Sequence, residues 1–170
     1  MKKLIIILTM LLSVSLLAGN NSSGVKLGVA AGYNYSDISK KDVIKDHGSL
    51  IWGFYVDIPL ISTFNIVPSA MLYRVDYLGS DLVATDISIS AKFKVPLAAL
   101  TIYALGTGGL TQIQLSAKDG ISPHVGVGVG ASLNLVSNIS FLGEGNYRIM
   151  LADNGNIKNY FLSVGILWGF

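Results

Sequence analysis

The end of the chain, Lys158 to Phe170, reads K-N-Y-F-L-S-V-G-I-L-W-G-F. Alternate residues counted back from the end, Phe170, Trp168, Ile166, Val164, Leu162 and Tyr160, are all bulky and apolar. The residues between them, Gly169, Leu167, Gly165, Ser163, Phe161 and Asn159, are smaller and mixed. Side chains alternate across a β-strand with period two, so this is a strand with one apolar face. An exposed apolar strand at an open sheet edge invites aggregation. A closed barrel wall in a membrane removes that hazard by giving every edge a partner.

The remainder of the chain is compatible with such a wall. Half of its 170 residues are apolar and the mean hydropathy is +0.57, yet only the first segment is a continuous apolar run. Elsewhere apolar residues alternate with Gly, Ser, Thr and Asn, and 19 glycines favour strands and turns over helices. Residues 1–19 form the expected secretory signal peptide. Lys2 and Lys3 give the charged start, Leu4 to Leu12 the apolar stretch, and Ser13 to Gly19 the small residues. The run is shorter than the roughly 20 residues of a helical span. Asn20 stands where a lipoprotein would carry its lipidated Cys, and the chain has no Cys, so lipid anchoring and a disulfide framework are both excluded. Removing Lys2 and Lys3 from the 12 basic residues leaves ten against ten acidic ones. The basic pI therefore gives no reason to expect nucleic-acid binding.

Eight strands follow in residues 20–170. The first spans about Gly24 to Tyr35, with Val25, Leu27, Val29, Ala31, Tyr33 and Tyr35 on the apolar face and Lys26 opposite. The second, Leu50 to Ile58, sets Trp52, Phe54, Val56 and Ile58 against Gly53, Tyr55 and Asp57. The third, Phe64 to Tyr77, is ambiguous in facing. Its charges Arg74 and Asp76 favour their own set as interior, and Pro68, lacking a ladder donor, predicts a bulge. The fourth, Thr85 to Val95, sets Ile87, Ile89, Ala91, Phe93 and Val95 against Asp86, Ser88, Ser90, Lys92 and Lys94. The fifth, Thr101 to Leu115, is read with Tyr103, Leu105, Thr107, Thr111 and Ile113 outward, and Ala104, Gly106, Gly108 and Gln112 inward. The sixth, Pro123 to Leu135, sets a valine row against His124, Gly126, Gly128 and Gly130. The seventh, Ile139 to Met150, carries Glu144 and Arg148 on its inner face. The connections alternate long and polar (36–49, 78–84, 116–122, 151–157) with short (59–63, 96–100, 136–138). Long outer loops and short periplasmic turns are what an outer-membrane barrel requires.

The bulky set must face lipid. An eight-stranded interior is only wide enough for side chains, and a charge at a lipid-facing position costs about 2–4 kcal/mol at mid-bilayer. Tyr33, Tyr35, Trp52, Tyr73, Tyr77, Tyr147, Tyr160, Trp168 and Phe170 lie near strand ends, where interfacial aromatics belong. The fold expected is an all-β, eight-stranded antiparallel up-and-down transmembrane barrel after a cleaved signal peptide. From Gly24 to Phe170 the chain resembles the small OmpA-like and OmpX-like outer-membrane barrels of Gram-negative bacteria. The resemblance rests on the signal peptide, the alternation, Ile66-Val67-Pro68-Ser69-Ala70-Met71-Leu72-Tyr73, Phe141-Leu142-Gly143-Glu144-Gly145-Asn146-Tyr147-Arg148, and the ending. It implies that Gly165, Trp168 and Phe170 form the signal read by the barrel-assembly machinery. Family members stabilise envelopes, adhere to surfaces or form small pores, so the resemblance fixes no single task.

The candidate chemistry is sparse. Arg74, Lys92, Lys94, Glu144 and Arg148 are expected to form a charge network that fills the lumen, with Glu144 meeting Lys92, Lys94 or Arg74. The glycines at 106, 108, 126, 128 and 130 have strand period, not phosphate-loop spacing. Ser122, His124 and Asp119 are the one set to weigh as an acyl hydrolase, and Ser122 and His124 stand about 7 Å apart along a strand, beyond direct contact. Rim polar residues are the expectation there. Asp153-Asn154-Gly155-Asn156 reads as turn chemistry lacking the other calcium ligands. No enzyme activity, cofactor or metal is expected. The role expected is structural or surface-interacting, the alternatives being a narrow pore or a lipid A-modifying enzyme. The expected partners are membrane lipid and lipopolysaccharide, the assembly machinery, and an external ligand at loop Ser36 to Ser49, with no nucleic acid and a monomeric state.

Overall fold

The computed structural model describes residues 24–38, 47–77, 80–113, 120–136, 138–151 and 156–170. The expected signal peptide, Asp119 and the Asp153 turn lie outside them. Eight strands follow in order: β1 Lys26–Ile38, β2 His47–Ile61, β3 Phe64–Tyr77, β4 Ser80–Leu97, β5 Leu100–Ile113, β6 Gly120–Val136, β7 Ile139–Met150 and β8 Ile157–Gly169. Each pairs antiparallel with its neighbours, and β1 closes on β8 from Lys26↔Gly169 to Ile38↔Ile157. The terminal strand is thus the closing seam of a barrel. The start of β1, the end of β8 and the connections at 62–63, 98–99 and 137–138 share one rim, here the turn end. The connections at 39–46, 78–79, 114–119 and 151–156 share the loop end.

The wall is inverted relative to a water-soluble barrel. Leu50, Phe54, Ile89, Phe93, Val127, Val129, Leu162 and Val164 are each more than half exposed on the outer face. Asn34, Asp86, Ser88, Lys92, Glu144, Arg148 and Asn159 are buried inside. Hydrocarbon can solvate the first set and not the second, so this exterior is a membrane-facing surface. Aromatic rings mark both rims. Tyr160 lies 6.3 Å from Tyr35 and 5.1 Å from Tyr147 towards the loop end, and Trp168 stacks on Phe170 at the turn end.

Several expectations need correction. Strand β3 turns Asn65, Val67, Ser69, Met71 and Tyr73 inward, and Arg74 is exposed on the opposite face. Arg74 sits high in the strand, near the loop end, where water and headgroups reach the wall, so its charge says nothing about facing. Tyr73 accordingly leaves the aromatic girdle and packs edge-on against Phe161 in the lumen, with ring centroids 5.4 Å apart. Pro68 interrupts the β2–β3 ladder without shifting it. Pairing stops at Tyr55↔Ser69 and resumes in the same register at Ile58↔Ile66, and the register shift falls at Pro59/Ile61. The third connection shrinks from 78–84 to 78–79, because β4 begins at Ser80. A hairpin that extends past the bilayer has water on both faces, so polar residues there do not end the strand.

Strand β5 is also inverted. Tyr103, Leu105, Thr107 and Thr111 point inward, and Ile102, Ala104, Gly106, Gly108 and Leu110 point outward. A side chain added at Gly106 or Gly108 would meet open space. The inner pairs across β5 and β6 are Tyr103↔Gly130, Leu105↔Gly128 and Thr107↔Gly126. Each larger residue faces a glycine. A side chain at Gly130 would strike the Tyr103 ring, one at Gly128 would strike Asn146, and one at Gly126 would strike Arg148. The glycine row of β6 faces the interior, as expected, and makes room for neighbours on both sides.

Candidate functional site: the barrel lumen

From the loop end inward, the first polar layer is built on Asp86. Its carboxylate accepts from Arg148 Nη1 at 2.7 Å, from Thr111 Oγ1 at 3.1 Å and from the Ser88 hydroxyl. His124 lies beside it, with Nδ1 3.3 Å from Asp86 Oδ2 and 3.1 Å from Thr111 Oγ1, and Nε2 3.1 Å from Ser88 Oγ. The Arg148 guanidinium also stands over the Phe161 ring at 4.9 Å. Asp86, Ser88, Thr111, His124 and Arg148 are each at most 2% exposed. His124 is therefore no rim residue, which corrects that expectation.

Ser88, His124 and Asp86 have the composition of a hydrolytic triad and its ring contacts, Nε2 to the serine and Nδ1 to the carboxylate, with one further bond added. In a triad the serine proton goes to the imidazole and the carboxylate orients the far ring nitrogen. Here Ser88 donates to Asp86 directly, and the carboxylate gathers four neighbours at once. The barrel wall also stands between the trio and any acyl chain in the bilayer.

The middle layer mixes apolar packing with one carboxylate. Ala30, Tyr55, Val67, Met71, Leu142 and Leu167 form an interior cluster there, and Ile51, Tyr73, Ala84 and Phe161 form another on the loop-end side of the Asp86 layer. Glu144 accepts from Tyr103 Oη at 3.1 Å and from the Asn146 amide. The expected pairing of Glu144 with a cation is not formed among its described contacts. Lys92 is committed elsewhere, donating to Asp57 at 2.7 Å while its ammonium lies 4.1 Å from the centroid of Tyr103. Tyr103, expected to face outward, is instead buried in the lumen as the partner of Glu144.

The layer at the turn end carries Lys26, Asp57, Asn65, Lys92 and Lys94. Lys26 pairs across the β1–β2 ladder with Asp57, and Asn65 pairs across β3–β4 with Lys92. Asn65 donates to Asp57, and Lys26 Nζ donates to Ser140 Oγ at 3.0 Å. These residues border a cavity of about 160 Å³ that opens at the turn end. Of the five charges expected in the lumen, Lys92, Lys94, Glu144 and Arg148 face inward at three different levels, and Arg74 does not. A second concavity of about 510 Å³ lies at the loop end between β2 and β3, bordered by Leu50, Trp52, Leu72 and Arg74.

No family model and no curated protein matches the sequence. Solved structures do match. Neisserial surface protein A is similar with a TM-score of 0.75 at 17% identity, covering 87% of this chain and 98% of that one. The chain has the fold of the small outer-membrane β-barrels. The outer membrane protein OprG of Pseudomonas aeruginosa matches at a TM-score of 0.62 and 10% identity, over 87% of this chain and 97% of that one. The outer membrane enzyme PagL matches at 0.53 and 8% identity, over 82% and 97%. One fold thus carries both enzymes and proteins of other kinds, and the site must decide between them.

Proposed function

We propose that the protein is a non-enzymatic, non-conducting barrel of a Gram-negative outer membrane, acting as a structural or surface-interaction element. The observation that carries this reading is the stacked lumen. Two apolar clusters and the Asp86 layer fill the middle and outer interior with side chains that are almost all below 8% exposure. A water-filled ion path has polar walls and room for hydration, and apolar packing across an eight-stranded bore leaves neither. The buried Ser88–His124–Asp86 trio argues against the enzyme alternative, since a hydroxyl enclosed by the barrel wall and already bonded to a carboxylate is not a nucleophile presented to lipid.

In this reading the wall contacts membrane lipid and lipopolysaccharide, and Gly165, Trp168 and Phe170 serve as the address for assembly. External ligands would meet the connection at 39–46, the core of the expected loop Ser36 to Ser49, which lies outside the described residues. The protein acts as a monomer and has no nucleic-acid partner. Single-channel recording of the refolded protein in planar bilayers tests the central claim. No stable unitary steps are expected, and reproducible open levels would establish the pore instead.

A further inference from the structure

The cavity at the turn end has a charge imbalance that the rest of the lumen lacks. Lys26, Lys92 and Lys94 border it together with a single carboxylate, Asp57. Three ammonium groups against one carboxylate leave a formal excess of two positive charges among the side chains. No acidic side chain nearby in sequence cancels it, since residues 20–25, 59–63, 96–100 and 135–139 contain no Asp or Glu, and the carboxylate at Phe170, a residue 79% exposed, does not border the cavity. The imbalance is local, because residues 24–170 carry ten basic and ten acidic side chains in total.

Lys92 is 5% exposed and Asp57 4%, so half of the set is held in a low-dielectric wall. Cations confined there are costly unless an anion accompanies them. Lys92 already has Asp57 as its counter-charge. Lys26 has only the hydroxyl of Ser140 as a described hydrogen-bond partner, and Lys94 lines the same space. Opposite them, Thr101 and Ser132 bring hydroxyl donors from β5 and β6. Cationic donors on one side and neutral hydroxyls on the other fit a compact oxyanion with several acceptor oxygens.

We propose that this vestibule is a binding site for a phosphate-class dianion, with Lys26 and Lys94 as its principal ligands and Lys92–Asp57 as its fixed floor. A doubly charged phosphate or phosphate monoester neutralises the excess of two, and a monocarboxylate leaves one charge unmatched. The cavity volume accommodates the phosphate group and leaves a substituent to project from the turn end. The same chemistry is offered by free phosphate esters and by a phosphomonoester lipid headgroup. The site does not depend on whether the middle of the lumen conducts.

Calorimetric titration of inorganic phosphate into the refolded barrel, in zwitterionic detergent at neutral pH, tests the assignment. One saturable site is expected. Lys26→Gln and Lys94→Gln should each weaken it by about tenfold or more, as expected when a hydrogen bond to a charged group is lost. Asp57→Asn should tighten it, because the competing carboxylate is gone, and Lys158→Gln at the loop end should leave it unchanged. Heat-modifiable gel mobility confirms that each variant is folded, and the wild-type and Asp57→Asn titrations decide the matter if a lysine variant does not fold. No saturable binding by the wild type, equal binding by the folded lysine variants, or equal affinity for acetate would overturn the proposal. Repeating the titration in phosphatidylcholine nanodiscs with and without phosphatidic acid identifies the source. Competition by the lipid assigns a headgroup, and undiminished phosphate binding assigns a soluble phosphate.

Discussion

The lumen holds one carboxylate near each end, and their surroundings are opposite. Asp86 collects Arg148, His124, Ser88 and Thr111 in a closed layer. Asp57 has Lys92 and Asn65, with Lys26 and Lys94 left facing a cavity. The first arrangement fills the acceptor sites of its carboxylate with buried neighbours, so it behaves as a plug. The second has more charge than its carboxylate cancels and space beside it, so it behaves as a site. Both contain buried ion pairs, and burial alone does not separate structure from function. What separates them is whether the charges close on one another.

The largest expected effect comes from breaking the closed layer. Asp86→Ala strands the Arg148 guanidinium in the wall, and removing one partner of a buried pair costs about 3–5 kcal/mol. Urea unfolding of the barrel in lipid vesicles measures this. Asp57→Ala should cost less than half as much, because Lys92 borders an open cavity and keeps the Tyr103 ring. Equal losses at the two positions would remove the distinction between plug and site.

A middle-sized effect tests the divide between the two layers. Gly130→Val should force Tyr103 from its place between Lys92 and Glu144, at about 1–3 kcal/mol for an overpacked interior. Gly106→Val, on the outer face where a side chain meets open space, should stay within about 0.5 kcal/mol. The same pair of glycines shows how far the sequence could be read. Alternation alone gave the architecture, the closure, and the facing of β1, β4, β6, β7 and β8, because in those strands one set is clearly bulkier or more charged. It failed in β5, where both sets are moderate in size. The missing signal was pairwise: a glycine row on β6 demands larger inward neighbours, and only Tyr103, Leu105 and Thr107 supply them in register. It failed in β3 because Arg74 near a rim was weighed as though it lay at mid-bilayer. The pairing of Glu144 followed β5 into error, since Tyr103 had been sent to the lipid.

The smallest effect concerns how firmly the loop end is closed. The β2–β3 ladder stops at Trp52↔Leu72, although both strands continue towards the loop end. There the Arg74 amide donates to Ser49 Oγ at 3.3 Å, so a side chain stands in for a ladder bond. Beside it lies the cleft bordered by Leu50, Trp52 and Leu72. Across β4–β5 pairing is continuous from Ala84↔Ile113 to Leu97↔Leu100, and the Ser90–Thr107 hydroxyl contact at 2.8 Å is an addition to a complete ladder. Ser49→Ala should therefore cost about 1 kcal/mol and speed hydrogen exchange at the Arg74 amide. Ser90→Ala should cost a similar amount and leave the exchange of its neighbours unchanged, because their backbone bonds do not depend on it. Unchanged exchange at Arg74 in the Ser49 variant would mean that the β2–β3 seam is held by something other than this one hydroxyl, and that it is as firmly closed there as β4–β5.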